Sequence, residues 1–343
     1  MPILAVALLS LVSSFLATFV AAPFLIKRLA RRGIVGIDMN KYSKPKVPEM
    51  GGIGVWLGFS FGVILAIASF TYFRLVQLDL SLMLAGFATI TMVGFLGVVD
   101  DIIGWKKGIR QWQHALLPAF AALPLMAVKI ENPPLVLPIV GALPEVFIVP
   151  FFGAVSFGII YSLFIVPLGV TGASNGANML AGLNGLEAGL GSIMTATMLA
   201  IALLFGKVEA VIILAAMLGS LLAFLRYNWF PAKVFGGDSL TMMIGASIAA
   251  ASIVADMEKT GVLLMSIFFV ELGFKAKQFF QSECFGIPQK NGLLLPDPRG
   301  GSLTHWILRR KPMTELRLVM TILAMQATAS IIVLALFFAG FLG

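Results

Sequence analysis

Apolar stretches of about 18 to 25 residues recur from one end of the chain to the other. A helix of that length matches the hydrocarbon thickness of a bilayer, because each residue adds about 1.5 Å. The composition agrees, since 59% of the 343 residues are hydrophobic, only 12% are charged, and the mean hydropathy is +0.99. One soluble core of this length could not bury so much apolar surface. The chain is therefore predicted to be an integral membrane protein whose first partner is the lipid bilayer.

The apolar stretches predict an all-α protein with about ten transmembrane helices in one bundle, forming a single polytopic domain over residues 1–343. Eight or nine spans are the alternative, because residues 240–280 can contain a broken helix and the run around residues 135–150 is interrupted by four prolines, Pro133, Pro134, Pro138 and Pro144. The first stretch reads as a spanning helix and not as a cleavable signal, since no basic segment precedes it. The predicted spans are 3–26, 52–73, 80–99, 113–130, 146–169, 186–205, 208–225, 239–255, 261–280 and 317–341.

Basic residues lie unevenly on the predicted loops. Of the 24 lysines and arginines, 20 fall on the loops that follow the odd-numbered spans. Because positively charged loops stay in the cytoplasm, this bias predicts exterior termini and a cytoplasmic basic face. A net charge of +8 then suits anionic headgroups or an anionic substrate, and no nucleic-acid partner is predicted. The predicted location is the cell membrane, or the endoplasmic reticulum membrane in a eukaryote.

Two adjacent acids follow the third span directly. Asp100 and Asp101 stand where a helix would leave the bilayer, and Lys106, Lys107 and Arg110 follow within ten residues. Acids on a basic face are unusual for simple membrane-exit charges, which remain the alternative interpretation. Acids that can hold a metal and bases that can hold phosphate together indicate phosphate chemistry at the membrane surface.

Every other polar cluster falls on a loop of the same basic face, which indicates one shared site. Asn175 and Asn178 would share a face if their segment is helical, and an amide oxygen is a suitable ligand for a hard cation. A flexible, glycine-rich connection is the alternative. The clusters are KPKVPEMGG (44–52), VVDDIIGWKKGIR (98–110), NGANMLAGLNGLEAG (175–189), VFGGDSL (234–240) and LLPDPRGGSLTHW (294–306).

Several residues keep two interpretations. Asp238 opens the eighth span, where capping of the helix and metal binding are equally compatible with its position. The bases of the loop over residues 281–316 suit lipid headgroups as well as a substrate. Glu271 is expected to pair with Lys275 one helical turn on, and Cys284 is expected to be a buried small hydrophobic residue.

The ordered motifs resemble those of the polyprenyl-phosphate N-acetylhexosamine-1-phosphate transferases, of glycosyltransferase family 4 type. The resemblance extends from about residue 40 to 310. Members are ten-span membrane enzymes that transfer a sugar 1-phosphate from a UDP-sugar to a polyprenyl phosphate with magnesium. The motifs are Pro48-Glu49-Met50-Gly51-Gly52, Val99-Asp100-Asp101, the NxxNxxxGxNGLEAG segment from Asn175 to Gly189, and VFGGDS.

Within the family, the segment from Ala181 to Glu187 reads AGLNGLE, which resembles the eukaryotic and archaeal enzymes that use UDP-N-acetylglucosamine and dolichyl phosphate. Bacterial relatives typically read DGLDGL there. The eukaryotic Arg-His-Arg cluster is replaced by Arg299 followed by two glycines, with His305 later, and this departure favours an archaeal enzyme of protein N-glycosylation.

The resemblance implies roles for individual residues. Asn178 and Asp238 would ligate Mg²⁺, with Mn²⁺ as an alternative. Asn175, one turn before Asn178, would be one of the catalytic residues. Arg110 would contact the pyrophosphate. The substrate-binding set comprises Glu49 near the nucleoside, Gly182 and Asn184 at the uracil, Phe235 stacked on its ring, Arg299 as a second clamp, His305 and Lys44.

The role of the aspartate pair stays open. Asp100 would act as base or orienter toward the lipid phosphate, with Asp101 supporting the geometry, although a dianionic acceptor needs no base. A covalent aspartyl-phosphate route is the third possibility. A nucleotide-sugar transporter and a lipid-phosphate-binding protein without transferase chemistry are the alternative functions. A homodimer is left open.

Overall fold

The computed structural model describes residues 2–74, 76–104, 111–128, 136–137, 141–142, 146–149 and 153–342. The chain is mostly helical. Its elements, in chain order, are α1 (Pro2–Arg32), β1 (Val35–Ile37), β2 (Lys46–Pro48), α2 (Gly52–Phe73), α3 (Leu80–Gly104), α4 (Gln111–Ala121), α5 (Leu123–Val128), β3 (Val136–Leu137), β4 (Gly141–Ala142), β5 (Val146–Val149), β6 (Gly153–Ser156), α6 (Phe157–Ile160), a π-helical turn (Tyr161–Ile165), α7 (Val166–Met179), α8 (Leu186–Phe205), α9 (Val208–Asn228), α10 (Asp238–Ala255), α11 (Glu258–Leu264), α12 (Ser266–Ala276), β7 (Ile287–Pro288), β8 (Leu293–Leu295), α13 (Leu303–Arg310), β9 (Met313–Thr314) and α14 (Glu315–Phe338).

Eight helices in the described part of the chain are long and apolar enough to cross a bilayer. Each corresponds to one of the predicted spans, so the multi-pass membrane architecture is confirmed. The eight are α1, α2, α3, the continuous helix from Phe157 to Met179, α8, α9, α10 and α14.

The other two predicted spans are broken helices. The span predicted at 113–130 consists of α4 and α5, interrupted at Ala122, and the span predicted at 261–280 consists of α11 and α12, interrupted at Met265. Each broken pair covers 18 or 19 residues, which is about 27 to 28 Å of helix. The count of ten spans stays a prediction.

The predicted span at 146–169 has the wrong limits. Residues 146–149 and 153–156 form two antiparallel strands, and the helix begins at Phe157 and continues to Met179. The error arose because a short apolar run of strand residues cannot be told from a helix by hydropathy alone. As a result, Asn175 and Asn178 lie on the last turns of a helix and not in the loop predicted from Asn175.

Short strands also occur between the helices, which the all-α prediction missed. Strands β1 and β2 form an antiparallel pair between α1 and α2, and β7, β8 and β9 form a three-stranded sheet before α14. Each strand has only two or three residues, too few for an alternating hydrophobic pattern to be visible in the sequence.

Helix α10 lies at the centre of the bundle. Every residue from Ser239 to Ala255 is buried, with α3 and α7 packed against it. Small residues allow such close packing. A Cβ atom at Gly97 of α3 would lie 2.5 Å from the Cα of Ser239, and one at Gly245 would lie 2.1 Å from the carbonyl oxygen of Ala173. The first turn of α10 is therefore enclosed by the ends of its neighbours.

Candidate functional site

The site forms around the N-terminus of α10. The segment after β2 runs alongside the segment before α10, and this pairing places Glu49 beside the helix N-terminus. Gly36 makes room for the acid, because a Cβ atom there would overlap the Glu49 carboxylate. The pairing consists of three backbone hydrogen bonds, each of 2.8 Å: the N–H of Phe235 donates to Pro48, that of Gly51 to Phe235, and that of Gly52 to Gly236.

Asp101 caps helix α10 from the neighbouring helix. Its carboxylate accepts hydrogen bonds from the backbone N–H of Asp238 at 2.7 Å and of Ser239 at 3.2 Å. These are two of the N–H groups that lack a partner within the helix. The N-cap residue is Gly237, with φ of 75°, and a Cβ atom there would lie 2.6 Å from both Asp101 oxygens. The alternative that Asp238 itself caps the helix is therefore wrong, because Asp238 is the first helical residue.

Asn178 joins the same cluster from helix α7. Its Oδ1 accepts a hydrogen bond of 2.8 Å from the hydroxyl of Thr241, which lies almost one turn after Asp238. Asn175, one turn earlier on α7, donates from Nδ2 to the carbonyl of Thr171 at 3.0 Å. The flexible-connection interpretation is wrong for these two amides, because both lie on an ordered helix end.

Negative charge accumulates in this cluster. The pKa of Glu49 is raised above its usual value, first by burial and second by the nearby Asp238 carboxylate. Glu49, Asp101 and Asp238 come from three separate segments, so only the tertiary fold brings them together.

Asp100 directly precedes Asp101 on α3, where successive residues point about 100° apart. Asp100 is only 5% exposed. Its role as base, orienter or nucleophile stays a prediction.

The oxygen ligands in the cluster suit a hard cation. No group of three His, Cys, Asp or Glu side chains that could hold a metal ion occurs in the described residues. A Mg²⁺ ion does not require one, because it is usually bound through one or two carboxylates with waters and substrate phosphates completing the octahedron. Asp238 and the amide oxygen of Asn178 therefore fit a magnesium site that a pyrophosphate would complete.

The loop between α7 and α8 is held by buried polar contacts. Asn184 is 1% exposed, and its side-chain amide nitrogen, its side-chain oxygen and its backbone N–H are all hydrogen-bonded. Its Nδ2 donates to Asp38, its backbone N–H donates to Glu315, and its Oδ1 accepts from the backbone N–H of Ala232. These distances are 3.1, 2.8 and 2.7 Å. Asn184 therefore ties the loop to three other segments, and its predicted uracil contact stays untested.

The local structure also explains why residue 182 is a glycine. Its φ is 97°, and a Cβ atom there would lie 2.4 Å from the ring of Phe285. In this structure, the ring that packs against Gly182 is therefore that of Phe285. Its N–H donates to the Glu187 carboxylate, and its carbonyl accepts from Nδ2 of Asn40 at 2.9 Å.

Sequence reasoning missed the ionic group beneath this loop. Lys41 forms ion pairs with Asp38, at 3.2 Å, and with Glu315, and both acids are at most 4% exposed. The Lys41 ammonium also lies 4.2 Å from the centre of the Phe230 ring. The signal that could have found the group is the same as for Asp100, namely acids located on the predicted basic face.

The remaining predicted residues are dispersed. Lys44 and Arg299 are exposed, and His305 is 1% exposed, with Nε2 at 2.9 Å from the carbonyl oxygen of Phe285. Within the described residues, these three make no hydrogen bond to Asp101. Arg110, together with Lys106 and Lys107, lies outside the described residues. Phe235 is half-buried, and its backbone pairs with Pro48 and Gly51, on either side of Glu49.

Cys284 is buried, as predicted. It is 3% exposed, and burial, reinforced by the nearby Glu271 carboxylate, raises the pKa of its thiol to about 12. A thiol with so high a pKa is a poor nucleophile at neutral pH.

A long apolar groove begins at the cluster. Helices α7, α10, α11 and α12 enclose a cavity of about 890 Å³, with Asn175, Asn178 and Lys275 among its lining residues. Tyr161 and Glu258, whose side chains are hydrogen-bonded to each other, line it as well. Tyr161 and Asn178 are 17 residues apart on one helix, so the groove extends about 25 Å, close to the hydrocarbon thickness.

The groove is open along its side. Leu168 is 70% exposed, Val262 56% and Phe269 51%, and all three line it. In a bilayer these side chains would face lipid, so an acyl or prenyl chain could enter laterally from the membrane.

Known proteins resemble this chain over almost its whole length. The family model described as Glycosyl transferase family 4 matches residues 83–256. A Saccharolobus solfataricus protein, provisionally named UDP-N-acetylglucosamine–dolichyl-phosphate N-acetylglucosaminephosphotransferase, is 32% identical over 341 residues, covering 98% of each chain. The Dictyostelium discoideum protein of that name is 27% identical, covering 83% of this chain and 72% of its own length.

A bacterial relative has a different name. The phospho-N-acetylmuramoyl-pentapeptide-transferase of Limosilactobacillus reuteri is 33% identical over 278 residues, covering 77% of this chain and 79% of its own. The stretch that matches the family model contains Asp101, Asn178 and Asp238.

Proposed function

The chain belongs to glycosyl transferase family 4, and on that basis we propose that it transfers N-acetylglucosamine 1-phosphate from UDP-N-acetylglucosamine to a polyprenyl or dolichyl phosphate, releasing UMP. This reaction would begin the assembly of a lipid-linked glycan. The observation that carries the proposal is that an apolar groove and an acidic helix N-terminus meet at Asn178. An apolar groove of membrane depth begins at Asn178, and Asn178 is hydrogen-bonded to Thr241, almost one turn after Asp238 at the acidic start of α10.

The groove suits the acceptor lipid. Its apolar walls match a prenyl chain, and its open side would let the chain enter from the bilayer without crossing water. With the tail in the groove, the phosphate would lie at the polar end beside Asn175 and Asn178. The acceptor oxygen would then be next to the acidic cluster.

The reaction needs positioning more than covalent chemistry. The acceptor phosphate oxygen would form a bond to the β-phosphorus of the nucleotide sugar. The bond from that phosphorus to the bridging oxygen would break, and its electron pair would leave with UMP. Asp238 and Asn178 would hold Mg²⁺, or Mn²⁺ in its place, which neutralises charge on the pyrophosphate and the departing UMP. Asp101 keeps Asp238 in place by fixing the first turn of α10.

The nucleotide would bind on the side of the cluster formed by Glu49 and Phe235. Phe235 offers a half-buried ring for stacking on uracil, next to the peptide groups that pair with Pro48 and Gly51. Arg110, Arg299 and Lys44 would supply positive charge to the diphosphate.

The proposed topology retains ten spans, with α4–α5 and α11–α12 as the broken fourth and ninth. Both termini would then lie outside and the acidic cluster on the cytoplasmic side, in agreement with the bias of the basic residues. The donor sugar nucleotide would reach the site from the cytoplasm.

A nucleotide-sugar transporter is the alternative. Transporters place their binding groups near the bilayer midplane, whereas Asp101, Asn178 and Asp238 lie at helix ends. This difference favours the transferase.

The decisive experiment measures UMP release by the purified, detergent-solubilised chain with UDP-N-acetylglucosamine and a polyprenyl phosphate in magnesium. UMP and a lipid-linked diphosphate sugar should form in equal amounts. Asp238→Asn should lower the rate by about 100-fold or more, because a charge at the reacting centre is lost. Asp256→Asn is the matched control, because Asp256 lies at the opposite, C-terminal end of α10. This variant should keep the wild-type rate.

Other outcomes would distinguish the alternatives. Uptake of UDP-N-acetylglucosamine into vesicles without UMP release would overturn the transferase. A radiolabelled enzyme formed from labelled UDP-sugar alone, and absent in Asp100→Asn, would assign a covalent role to Asp100. A panel of UDP-sugars would define the donor.

A further inference from the structure

Helix α12 carries one charged pair next to the groove. Glu271 and Lys275 lie one helical turn apart, with 4.0 Å between Lys275 Nζ and Glu271 Oε1, as the sequence predicted. Glu271 is fully buried, whereas the Lys275 side chain is 13% exposed. Among the described residues that line the groove, Lys275 is the one cation.

The Glu271 carboxylate is fixed in position by the opposite segment of the chain. Its Oε2 accepts hydrogen bonds from the hydroxyl of Ser302 at 3.0 Å and the backbone N–H of Leu303 at 2.8 Å. Both donors belong to the start of α13, so the acid cannot turn away from Lys275 without losing them. The buried Glu271 carboxylate is therefore held next to the Lys275 ammonium.

The ammonium of Lys275 keeps its capacity to bind an anion. A separation of 4.0 Å is within the range of an ion pair but too long for a hydrogen bond. Lysine has three N–H donors, and the ion pair with Glu271 does not occupy them. Within the part of the chain that the structure describes, the Lys275 ammonium has Glu271 as its ion-pair partner and no hydrogen-bond acceptor, so its N–H donors can bind a ligand in the groove.

Lys275 shares the groove with Asn175 and Asn178. A prenyl phosphate in this groove would bring a negative charge to that end, and an anion taken out of water needs a cation or strong hydrogen bonds. We propose that Lys275, positioned by Glu271, binds the phosphate of the acceptor lipid. This inference rests on the proposed transferase function, and it assigns the acceptor phosphate to a residue separate from the acidic cluster.

The first test compares Lys275→Ala with Lys275→Arg in the full-length chain, with undecaprenyl phosphate as the varied substrate and UDP-N-acetylglucosamine saturating. Loss of a charged hydrogen bond should raise the KM for undecaprenyl phosphate by about tenfold or more, and the KM for the donor should change little. Lys275→Arg should restore most of the acceptor affinity. Lys277→Ala is the matched control, because Lys277 is exposed two residues later and does not line the groove.

A second measurement is independent of turnover. Undecaprenyl phosphate should raise the Tm of the wild-type protein more than undecaprenol does, because only the former carries the phosphate. Lys275→Ala should abolish that difference, and Glu271→Gln should reduce it while Lys277→Ala leaves it intact. If Lys275→Ala raised both KM values equally or kept the Tm difference, the lysine would have only a structural role.

Different results would overturn the two proposals. A wild-type protein that releases no UMP with any donor would overturn the proposed transferase function. An active wild-type protein whose Lys275→Ala variant keeps the KM for undecaprenyl phosphate would overturn only the proposed role of Lys275.

Discussion

Asp101, near the end of helix α3, caps the first turn of helix α10 by accepting a hydrogen bond of 2.7 Å from the backbone N–H of Asp238. The two residues are 137 positions apart. The partial positive charge of the helix N-terminus stabilises the Asp101 carboxylate, although a second acid lies beside it. One contact thus fixes the spacing between the VDD and GGDS motifs.

Gly237→Ala should disrupt the cap. The residue has φ of 75°, and an added Cβ atom would lie 2.6 Å from both carboxylate oxygens of Asp101. The variant should have a lower Tm and at least tenfold slower UMP release, since a displaced Asp101 would no longer hold the first turn of α10. Gly206→Ala is the control: Gly206 has φ of 69° but no atom within 4 Å, so it should lose only about 1 kcal/mol and stay active. Equal losses of activity in the two variants would contradict the role of the cap.

Thr241→Val should weaken magnesium binding. The substitution keeps the shape but removes the hydroxyl that donates to Oδ1 of Asn178 at 2.8 Å. Residues that orient a metal ligand typically contribute about 10- to 100-fold in affinity. A magnesium titration of UMP release should show this shift, and Thr241→Ser should reverse it. An unchanged titration in Thr241→Val would show that the hydrogen bond does not orient the amide.

Glu49→Gln should change the pH dependence of stability. Because the pKa of Glu49 is raised in the folded protein, the Glu49 side chain contributes most to the free energy of unfolding when it is protonated, and this contribution is lost as the pH rises through the folded pKa. A glutamine at this position does not ionise, so the Glu49→Gln variant does not lose this stability. In EDTA, the Tm of Glu49→Gln should therefore match wild type at low pH and exceed it increasingly above the usual glutamate pKa.

The control for this experiment is Glu283→Gln, since Glu283 is exposed. Its Tm should follow wild type at every pH. Added magnesium should narrow the Glu49→Gln difference, because a cation bound by Asp238 would offset the repulsion between that carboxylate and ionised Glu49. A constant difference across the pH range would show that ionised Glu49 does not destabilise the fold.

Lys41→Met should be strongly destabilising. The substitution leaves Asp38 and Glu315, both at most 4% exposed, without the lysine that pairs with them. Breaking a buried ion pair from one side costs about 3 to 5 kcal/mol. Lys207→Met breaks an exposed pair with Asp256 and should cost about 1 kcal/mol or less. Thermal unfolding followed by fluorescence in detergent would compare them, and similar shifts would contradict the importance of the buried group.

The sequence predicted the site better than its individual contacts. Glu49, Asp101, Asn178 and Asp238 come from four motifs that one basic face was expected to unite, and the structure brings all four to the N-terminus of α10. The uracil contact predicted for Asn184 stays a prediction, whereas the hydrogen bonds of Asn184 to Asp38, Glu315 and Ala232 were not predicted. A motif shows that a residue is polar and near the site, but its hydrogen-bond partners depend on segments far away in the chain.

Hydropathy alone determined the membrane class and located seven of the eight long apolar helices, with the limits of the eighth misplaced, because transfer of a long apolar helix into lipid is a local property of about 20 residues. The family motifs likewise are local strings. Only the tertiary structure decided that Asp101 caps α10, that Asn178 bonds to Thr241 and that the groove begins at this cluster. Each of these depends on the close approach of helices at Gly97 and Gly245, where the absence of a side chain lets two backbones meet.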